Sequence, residues 1–129
     1  RTHMIRVPDA GRFELRLMDG SSNPYLLQAG IVAAGLHGLN NKINPGEALT
    51  CNMYTDYKNY PNLKKLPNEI EEALDFLQNS KELKEAFGDD VITSYIKLKN
   101  IEIKDFYKNE KFDKKSSVTH WEKNSTLDC

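Results

Sequence analysis

The sequence predicts an α+β fold, in which an antiparallel β-hairpin is followed by a mostly α-helical subdomain with a central buried helix. Two short segments near the N-terminus, separated by residues with turn chemistry, predict the hairpin. Helical periodicity and capping residues from residue 23 onward predict the helices. With 129 residues, 39% of them hydrophobic, the chain has the length and composition of one domain with a core.

The hairpin is predicted from strands at residues 3–7 and 12–17 and a turn at residues 8–11, where Pro8 fixes φ and Gly11 is free to take a positive φ. Because successive side chains of a strand point to opposite faces, the second strand has an apolar face and a charged face. Arg6 on the first strand is placed to share the charged face. The apolar face consists of Phe13, Leu15 and Leu17, and the charged face of Arg12, Glu14 and Arg16.

The charged face has two interpretations. Two guanidinium groups on either side of a carboxylate suit a site that handles phosphate and a divalent cation. The alternative is a solvated face of ion pairs that neutralise one another. The two differ in whether these side chains point into an open cleft or are paired with neighbours.

Arginine usage favours the first interpretation. The arginines of the chain all lie in its first 16 residues, whereas every Lys or Arg from Lys42 to Lys123 is a lysine. Lysine suffices for charge and solubility, but a planar fork is required to hold a carboxylate or phosphate through two hydrogen bonds.

The first helix is predicted to begin at Pro24, with Asn23 as its N-cap. Residues 25–40 are apolar or small nearly all round, which is typical of a central buried helix. Small residues at a spacing of four, Gly30, Ala34 and Gly38, predict the close approach of another backbone. Polar residues within the run argue against a membrane span, and His37 is interpreted as a hydrogen-bonded structural residue.

Residues 41–66 are predicted to form a long irregular segment, since they contain Pro45, Gly46 and Pro61. Three tyrosines cluster here. We expect them to pack this segment down, and the alternative is an exposed modification or partner site. The tyrosines are Tyr54, Tyr57 and Tyr60.

The rest of the chain carries helix signals without chemistry of its own. Capping boxes are predicted at Asn68/Glu71 and Thr119/Glu122, and the second should dock Trp121. Ser80 is a predicted cap, Gly88 a stop, and Asp89 the start of a helix to about Asn109. The lysine-rich stretch at residues 108–115 is interpreted as a solvated helix end and linker.

Several function classes are disfavoured by composition. A formal net charge of −1 gives no general electrostatic reason to bind nucleic acid. Two distant cysteines, Cys51 and Cys129, predict a reducing compartment such as the cytoplasm, not a disulfide framework. The histidines show no ligand spacing, and no signal peptide or membrane-spanning segment is recognised. The expected division is a hairpin at residues 1–20 and one compact helical subdomain at residues 21–129.

Many motifs occur in the order found in one enzyme family. They are Arg1-Thr-His-Met-Ile-Arg6-Val-Pro8, Arg12-Phe-Glu14-Leu-Arg16, Asn23-Pro24-Tyr25-Leu26, Asn41-Lys42-Ile43 with Pro45-Gly46, Leu66-Pro67 before Glu71-Glu72-Ala73-Leu74, Tyr95-Ile96-Lys97-Leu98-Lys99, and Val118-Thr119 with Trp121-Glu122. The chain resembles the C-terminal part of the glutamine synthetase catalytic domain nearly from end to end. Its glycine-rich helix and long loop resemble the divergent, type III-like bacterial branch. The hairpin would then be the remnant of a larger active-site sheet.

The resemblance implies an ATP-dependent ligase that forms glutamine from glutamate and ammonia through γ-glutamyl phosphate, with Mg²⁺ or Mn²⁺ bound. Glu14 matches the carboxylate ligand of the metal that bridges the nucleotide phosphates. Arg16 and Arg1 match arginines at the transferred phosphoryl group, and Arg16 also neutralises the substrate carboxylate. Arg6 matches an arginine near the ATP phosphates, and Arg12 the residue on the nucleotide side. In phosphoryl transfer, positioning and charge neutralisation supply most of the catalysis.

The chain departs from the family pattern at several points. Met18 stands where the family often has proline, and Tyr54 falls where some bacterial members are adenylylated, although its neighbours differ. The other metal ligands, the ammonium-site loop and most barrel strands lie upstream in the family, so the start at Arg1 looks like a cut inside a longer protein.

Three hypotheses follow. The first is part of a glutamine synthetase, assembled in the family as a homo-oligomer of stacked rings and inactive as the 129-residue piece. The second is a related γ-glutamyl-amine ligase with an acceptor such as methylamine. The third is a non-catalytic helical assembly module.

Overall fold

The computed structural model describes residues 4–18, 20–110 and 118–125, and these ranges confirm the predicted α+β fold. A two-stranded antiparallel sheet is followed by helices. The elements are β1 (Ile5–Asp9), β2 (Arg12–Leu15), α1 (Pro24–Asn40), α2 (Met53–Asp56) with a 3-10 turn (Tyr57–Asn59), α3 (Ile70–Asn79), α4 (Lys81–Phe87), α5 (Asp89–Asn109) and α6 (His120–Ser125). The predictions made for Arg1, for Cys129 and for residues 111–115 of the lysine-rich stretch lie outside the described residues.

The hairpin has a tighter turn than the sequence predicts. Strand β1 continues through Pro8 to Asp9, so the turn is reduced to Ala10 and Gly11, where Gly11 has φ 79°. Strand β2 ends at Leu15, two residues earlier than expected, although the Arg16 N–H still donates to the Met4 carbonyl at 2.9 Å.

A one-residue bulge interrupts the pairing of β1 with β2. Arg6 lies opposite Glu14 but Asp9 lies opposite Arg12, so that Val7 and Pro8 face the single residue Phe13. Proline is tolerated at a bulge because the ladder does not need its missing N–H there. The extra residue turns Asp9 onto the face that carries Arg6.

The apolar face of the hairpin is exposed within the described residues. Phe13 is 61% accessible and Val7 71%. The sequence predicts that this face covers a core, but in the described residues Phe13 and Val7 are not covered.

Helix α1 begins as predicted, because the Asn23 side chain accepts hydrogen bonds from the Tyr25 and Leu26 N–H groups, both at 3.0 Å. The expectation that α1 is buried is wrong for this structure, since no residue of α1 is buried. Helix α4 packs against it and leaves much of its surface exposed, including Leu39 at 75%.

The predicted close approach of another backbone to α1 is also wrong within the described residues. A Cβ added at Gly30 or Gly38 would meet no atom within 4 Å. His37 does have a structural partner, as expected, because its Nδ1 lies 3.2 Å from the Asn41 side-chain amide.

The core of the described residues lies between α3 and α5, where Leu74 and Ile92 are the buried hydrophobic residues. Helices α3 and α4 each pack against α5. Ser80 caps α4 as predicted, by accepting from the Leu83 N–H at 3.3 Å, and Gly88 ends it at φ 87°.

The predicted capping box at Asn68 and Glu71 is wrong by one residue. Helix α3 begins at Ile70 after Glu69, which makes no side-chain cap hydrogen bond. Glu72 supplies the carboxylate that accepts from the Asn68 N–H, at 3.3 Å. The sequence has glutamate at both 71 and 72, and the capping pattern alone does not determine which of the two accepts this hydrogen bond.

Helix α6 is held against the end of α5 through Trp121, as predicted. The indole Nε1–H donates to Asp105 at 2.6 Å, and the Trp121 backbone N–H donates to Glu110 at 2.6 Å. The Phe106 ring meets the indole edge-on, with centroids 5.5 Å apart. The Thr119/Glu122 capping box is formed in both directions.

The chain groups into two compact units, Arg1–Ser22 with Asn44–Leu66 and Asn23–Ile43 with Pro67–Cys129. The first contains the hairpin and α2, and the second contains α1 and α3 to α6. The predicted division between residues 20 and 21 stays a prediction. In the described part of the chain, none of the helices combines the length and apolar character that crossing a membrane requires.

Candidate active site

Glu14 lies at the centre of a cluster of guanidinium groups on one face of the hairpin. Arg16 donates to its Oε2 at 2.9 Å, and Arg6 donates to both carboxylate oxygens at 3.3 Å. Arg12 lies 3.7 Å from Oε1. The sequence predicted that these four side chains share a face, and the structure places them together. We call Arg6, Arg12, Glu14 and Arg16 the hairpin cluster.

Strand geometry explains why these residues meet. Arg12, Glu14 and Arg16 occupy alternate positions of one extended segment, so their side chains point the same way. The register then sets Arg6 directly opposite Glu14 on the neighbouring strand. Directly opposed side chains of an antiparallel pair are close enough for an ion pair.

The arginines stabilise the ionised form of Glu14. Hydrogen bonds from Arg16 and then from Arg6 lower the pKa of the Glu14 carboxyl below its usual range. The carboxylate is therefore charged at neutral pH. Three guanidinium groups stand against the two carboxylates of Glu14 and Asp9, which leaves one positive charge in excess and favours an anionic ligand.

The cluster is accessible to ligands. About a third of the side-chain surface of Glu14 and Arg16 is exposed, at 32% and 30%, and Arg6 and Arg12 are more exposed still, at 53% and 60%. The four side chains are paired with one another, which is what the ion-pair interpretation expects. The geometry of the cluster is therefore compatible with both the ion-pair interpretation and the catalytic interpretation.

The donor set provides one part of a metal site. Glu14 offers carboxylate oxygens, which Mg²⁺ and Mn²⁺ prefer, and both oxygens are engaged by arginines here. Within residues 4–18, 20–110 and 118–125 there is no group of three or more His, Cys, Asp or Glu that could hold a metal ion. Glu14 fits a hard cation as one ligand, and the described residues do not complete the coordination.

Tyr54 lies in α2, outside the hairpin cluster, and is 66% exposed. Tyr57 is 55% exposed. The expectation that these tyrosines pack the long segment down is therefore wrong for Tyr54 and Tyr57. Both lie in or next to a short helix whose N-cap, Asn52, orients the backbone through the Tyr54 N–H. Arg1, the second arginine expected at the phosphoryl group, lies outside the described residues.

Sequence reasoning missed Asp9. The sequence predicts Asp9 in the turn, whereas the bulge places it in β1 opposite Arg12, with the two side chains 3.2 Å apart. Its position directly before a two-residue Ala-Gly turn was the available signal, because residues that flank such a turn face each other across the hairpin.

Comparison with known proteins decides the family. The family model described as "Glutamine synthetase, catalytic domain" matches residues 1–124. This chain belongs to the glutamine synthetase catalytic-domain family. The glutamine synthetase of Rhizobium meliloti (strain 1021) is 44% identical over 128 residues, which cover 99% of this chain and 28% of that protein.

Another similar protein carries the name of an amine in its own name. The glutamate–methylamine ligase of Methyloversatilis universalis is 35% identical over 132 residues, covering 99% of this chain and 27% of that protein. A solved GmaS/ADP complex, in conformation 1, superposes with a TM-score of 0.77 at 39% identity, and covers 99% of this chain and 27% of that one. The chain thus spans about a quarter of the length of the relatives it matches.

Proposed function

We propose that this chain is the C-terminal part of the catalytic domain of an ATP-dependent glutamate–ammonia ligase that forms glutamine through γ-glutamyl phosphate. The observation that carries the proposal is the hairpin cluster, in which one ionised carboxylate lies within 4 Å of three guanidinium groups on an accessible strand face. Membership of the glutamine synthetase family supports the reaction class.

Each residue of the cluster has a role in the proposal. Glu14 contributes a carboxylate ligand to a divalent cation, Mg²⁺ or Mn²⁺, whose other ligands lie outside the described residues. When bound, such a cation neutralises charge on the nucleotide phosphates. Arg16, and Arg1 with it, neutralise the transferred phosphoryl group. Arg6 binds near the ATP phosphates, and Arg12 lies on the nucleotide side.

The arginines suit phosphoryl transfer for a physical reason. Negative charge spreads over the oxygens of the transferred group in the transition state, and fixed donors stabilise it without having to reorganise. In this chain Arg16 is held by Glu14 at 2.9 Å, which places its guanidinium group before a ligand arrives. A glutamate is ionised at neutral pH, and the lowered pKa of Glu14 keeps this contact ionic into the acidic range as well.

A γ-glutamyl-amine ligase is the second candidate. The match to a glutamate–methylamine ligase favours it, because that match covers 99% of this chain, as much as the match to the glutamine synthetase of Rhizobium meliloti does. The groups that select the amine lie upstream in the family. Measuring kcat/KM for ammonia and for methylamine with the full-length protein separates the two candidates.

The proposal includes a homo-oligomeric assembly of stacked rings and a cytoplasmic location. The uncovered apolar side chains of the hairpin and of α1, such as Phe13 and Leu39, support burial against further protein. The free thiol of Cys51 suits a reducing compartment. If substitutions in the hairpin cluster leave γ-glutamyl transfer unchanged, the chain is instead a non-catalytic assembly module.

The test is γ-glutamyl transfer by the full-length protein that carries this sequence. We expect Glu14→Gln to lose activity, and Arg16→Gln to lower kcat by about 10²–10³-fold, the cost of removing one preorganised donor. Glu85→Gln is the matched control, since Glu85 is an exposed carboxylate on α4. Activity of Glu14→Gln equal to that of Glu85→Gln would remove Glu14 from the site and leave the ion-pair interpretation.

A further inference from the structure

The bulge in β1 has a consequence for the charged face. In an unbroken register, the pairing of Arg6 with Glu14 would continue so that Pro8 faced Arg12. The inserted residue makes Asp9 face Arg12 instead. A one-residue shift moves a side chain to the opposite face of the sheet, so Asp9 joins the hairpin cluster only because of the bulge. Bulges commonly re-aim a side chain beside a functional site.

Asp9 engages one arginine of the cluster. Its Oδ2 accepts a hydrogen bond from Arg12 Nη2 at 3.2 Å, whereas Glu14 lies farther from the same nitrogen, at 3.7 Å. Glu14 already accepts from Arg6 and Arg16 at shorter distances. Asp9 therefore draws Arg12 toward the turn and away from the crowded carboxylate.

We propose that Asp9 is a positioning residue, which holds the Arg12 guanidinium group at the turn end of the cluster so that it is available to the nucleotide. This inference rests on the proposed function, which places Arg12 on the nucleotide side. Asp9 touches neither substrate nor metal in this account and acts through Arg12. The tight turn, with Gly11 at φ 79°, fixes the two strand ends that bring the pair together.

The direction in which the KM for ATP changes when Asp9 is removed distinguishes a positioning role from a purely electrostatic one. If Asp9 acted only as a negative charge near the nucleotide phosphates, its removal would lower the KM for ATP, because repulsion would be relieved. If Asp9 positions Arg12, its removal raises the KM for ATP. Both side chains are exposed, at 73% and 60%, so the expected rise in the KM for ATP is about 1.4- to fivefold, the range for an exposed ion pair.

The experiment measures kcat and the KM for ATP in the full-length protein. Asp9→Asn should raise KM with kcat unchanged, and Asp9→Glu should restore it. Arg12→Ala should raise KM at least as much, and the double variant should match Arg12→Ala alone, because Asp9 then has nothing to position. Asp75→Asn, on the exposed side of α3, is the matched control and should leave both constants unchanged.

Each other result overturns the inference in a distinguishable way. If Arg12→Ala raises KM while Asp9→Asn does not raise it, Asp9 is no positioning residue and the proposed function stands. If Asp9→Asn raises KM equally with and without Arg12, the effect does not pass through Arg12. If Arg12→Ala leaves the KM for ATP unchanged, the nucleotide role of Arg12 fails, and the inference fails with it.

Discussion

The indole of Trp121 supplies one of two hydrogen bonds that attach α6 to the end of α5, so Trp121→Phe should loosen α6 selectively. The substitution removes the Nε1–H that donates to Asp105 at 2.6 Å and keeps an aromatic ring against Phe106. A hydrogen bond to a charged group contributes about 1.5–3 kcal/mol, and the lower end applies because this contact is exposed. Since 1.4 kcal/mol corresponds to a factor of ten, local opening of α6 should increase about tenfold.

Trp121→Ala should increase opening further. It also removes the edge-on contact between the indole and Phe106, and such aromatic pairs contribute about 0.5–1.5 kcal/mol beyond the area they bury. The Trp121 backbone N–H and its acceptor Glu110 remain in both variants, so α6 keeps one attachment.

Amide hydrogen exchange of peptides from residues 118–125, followed by mass spectrometry in the full-length protein, measures this opening. Lys123→Ala, an exposed change on α6, is the control and should exchange like the wild type. Unchanged exchange in Trp121→Phe, or equal acceleration in Lys123→Ala, would refute the claim that the indole contact holds α6 in place.

Two further predictions concern the isolated chain and pH. The 129-residue chain alone should neither catalyse γ-glutamyl transfer nor bind Mg-ATP tightly, because no other carboxylate, His or Cys joins Glu14 in a metal site within the part of the chain that the structure describes. Calorimetric binding of Mg-ATP at micromolar affinity would contradict this. The Thr119 N–H and hydroxyl lower the pKa of Glu122, so its capping contribution is complete above the ordinary glutamate pKa of about 4.3 and is lost as the pH falls through the lowered value. The protection factors of the α6 amides, which are the exchange rates corrected for the intrinsic pH dependence of amide exchange, should fall over that range in the wild type but not in Glu122→Gln. An equal fall in both would assign the pH dependence to other groups.

Local signals in the sequence predicted much of the fold. The Asn23 and Ser80 caps, the Gly88 stop and the Thr119/Glu122 box all depend on residues within four positions of one another, and the structure forms each of them. The charged face was predictable for the same reason, because alternation along one strand fixes which side chains share a face.

Features that depend on longer-range pairing were not predictable. Strand β2 has four residues, which are too few to reveal a bulge in the opposite strand, so the sequence predicts Asp9 in the turn. The apolar pattern of α1 indicates that the helix suits burial, but it does not indicate which other part of the protein packs against it. In this chain α4 covers only part of it, and Leu39 stays exposed. The sequence does not predict α2, because the one signal for it is a single capping residue, Asn52. Without that helix, packing was the simpler interpretation of Tyr54.

Binding of Mn²⁺ tests most directly whether Glu14 is a metal ligand on an arginine-lined strand face. Electron paramagnetic resonance of the full-length protein, titrated with Mn²⁺ in the presence of ATP, counts the bound ions and gives their affinity. We expect Glu14→Gln to weaken one ATP-dependent Mn²⁺ site by at least about tenfold, and Glu85→Gln to leave it intact. Equal Mn²⁺ affinity in the wild type and in Glu14→Gln would contradict the account.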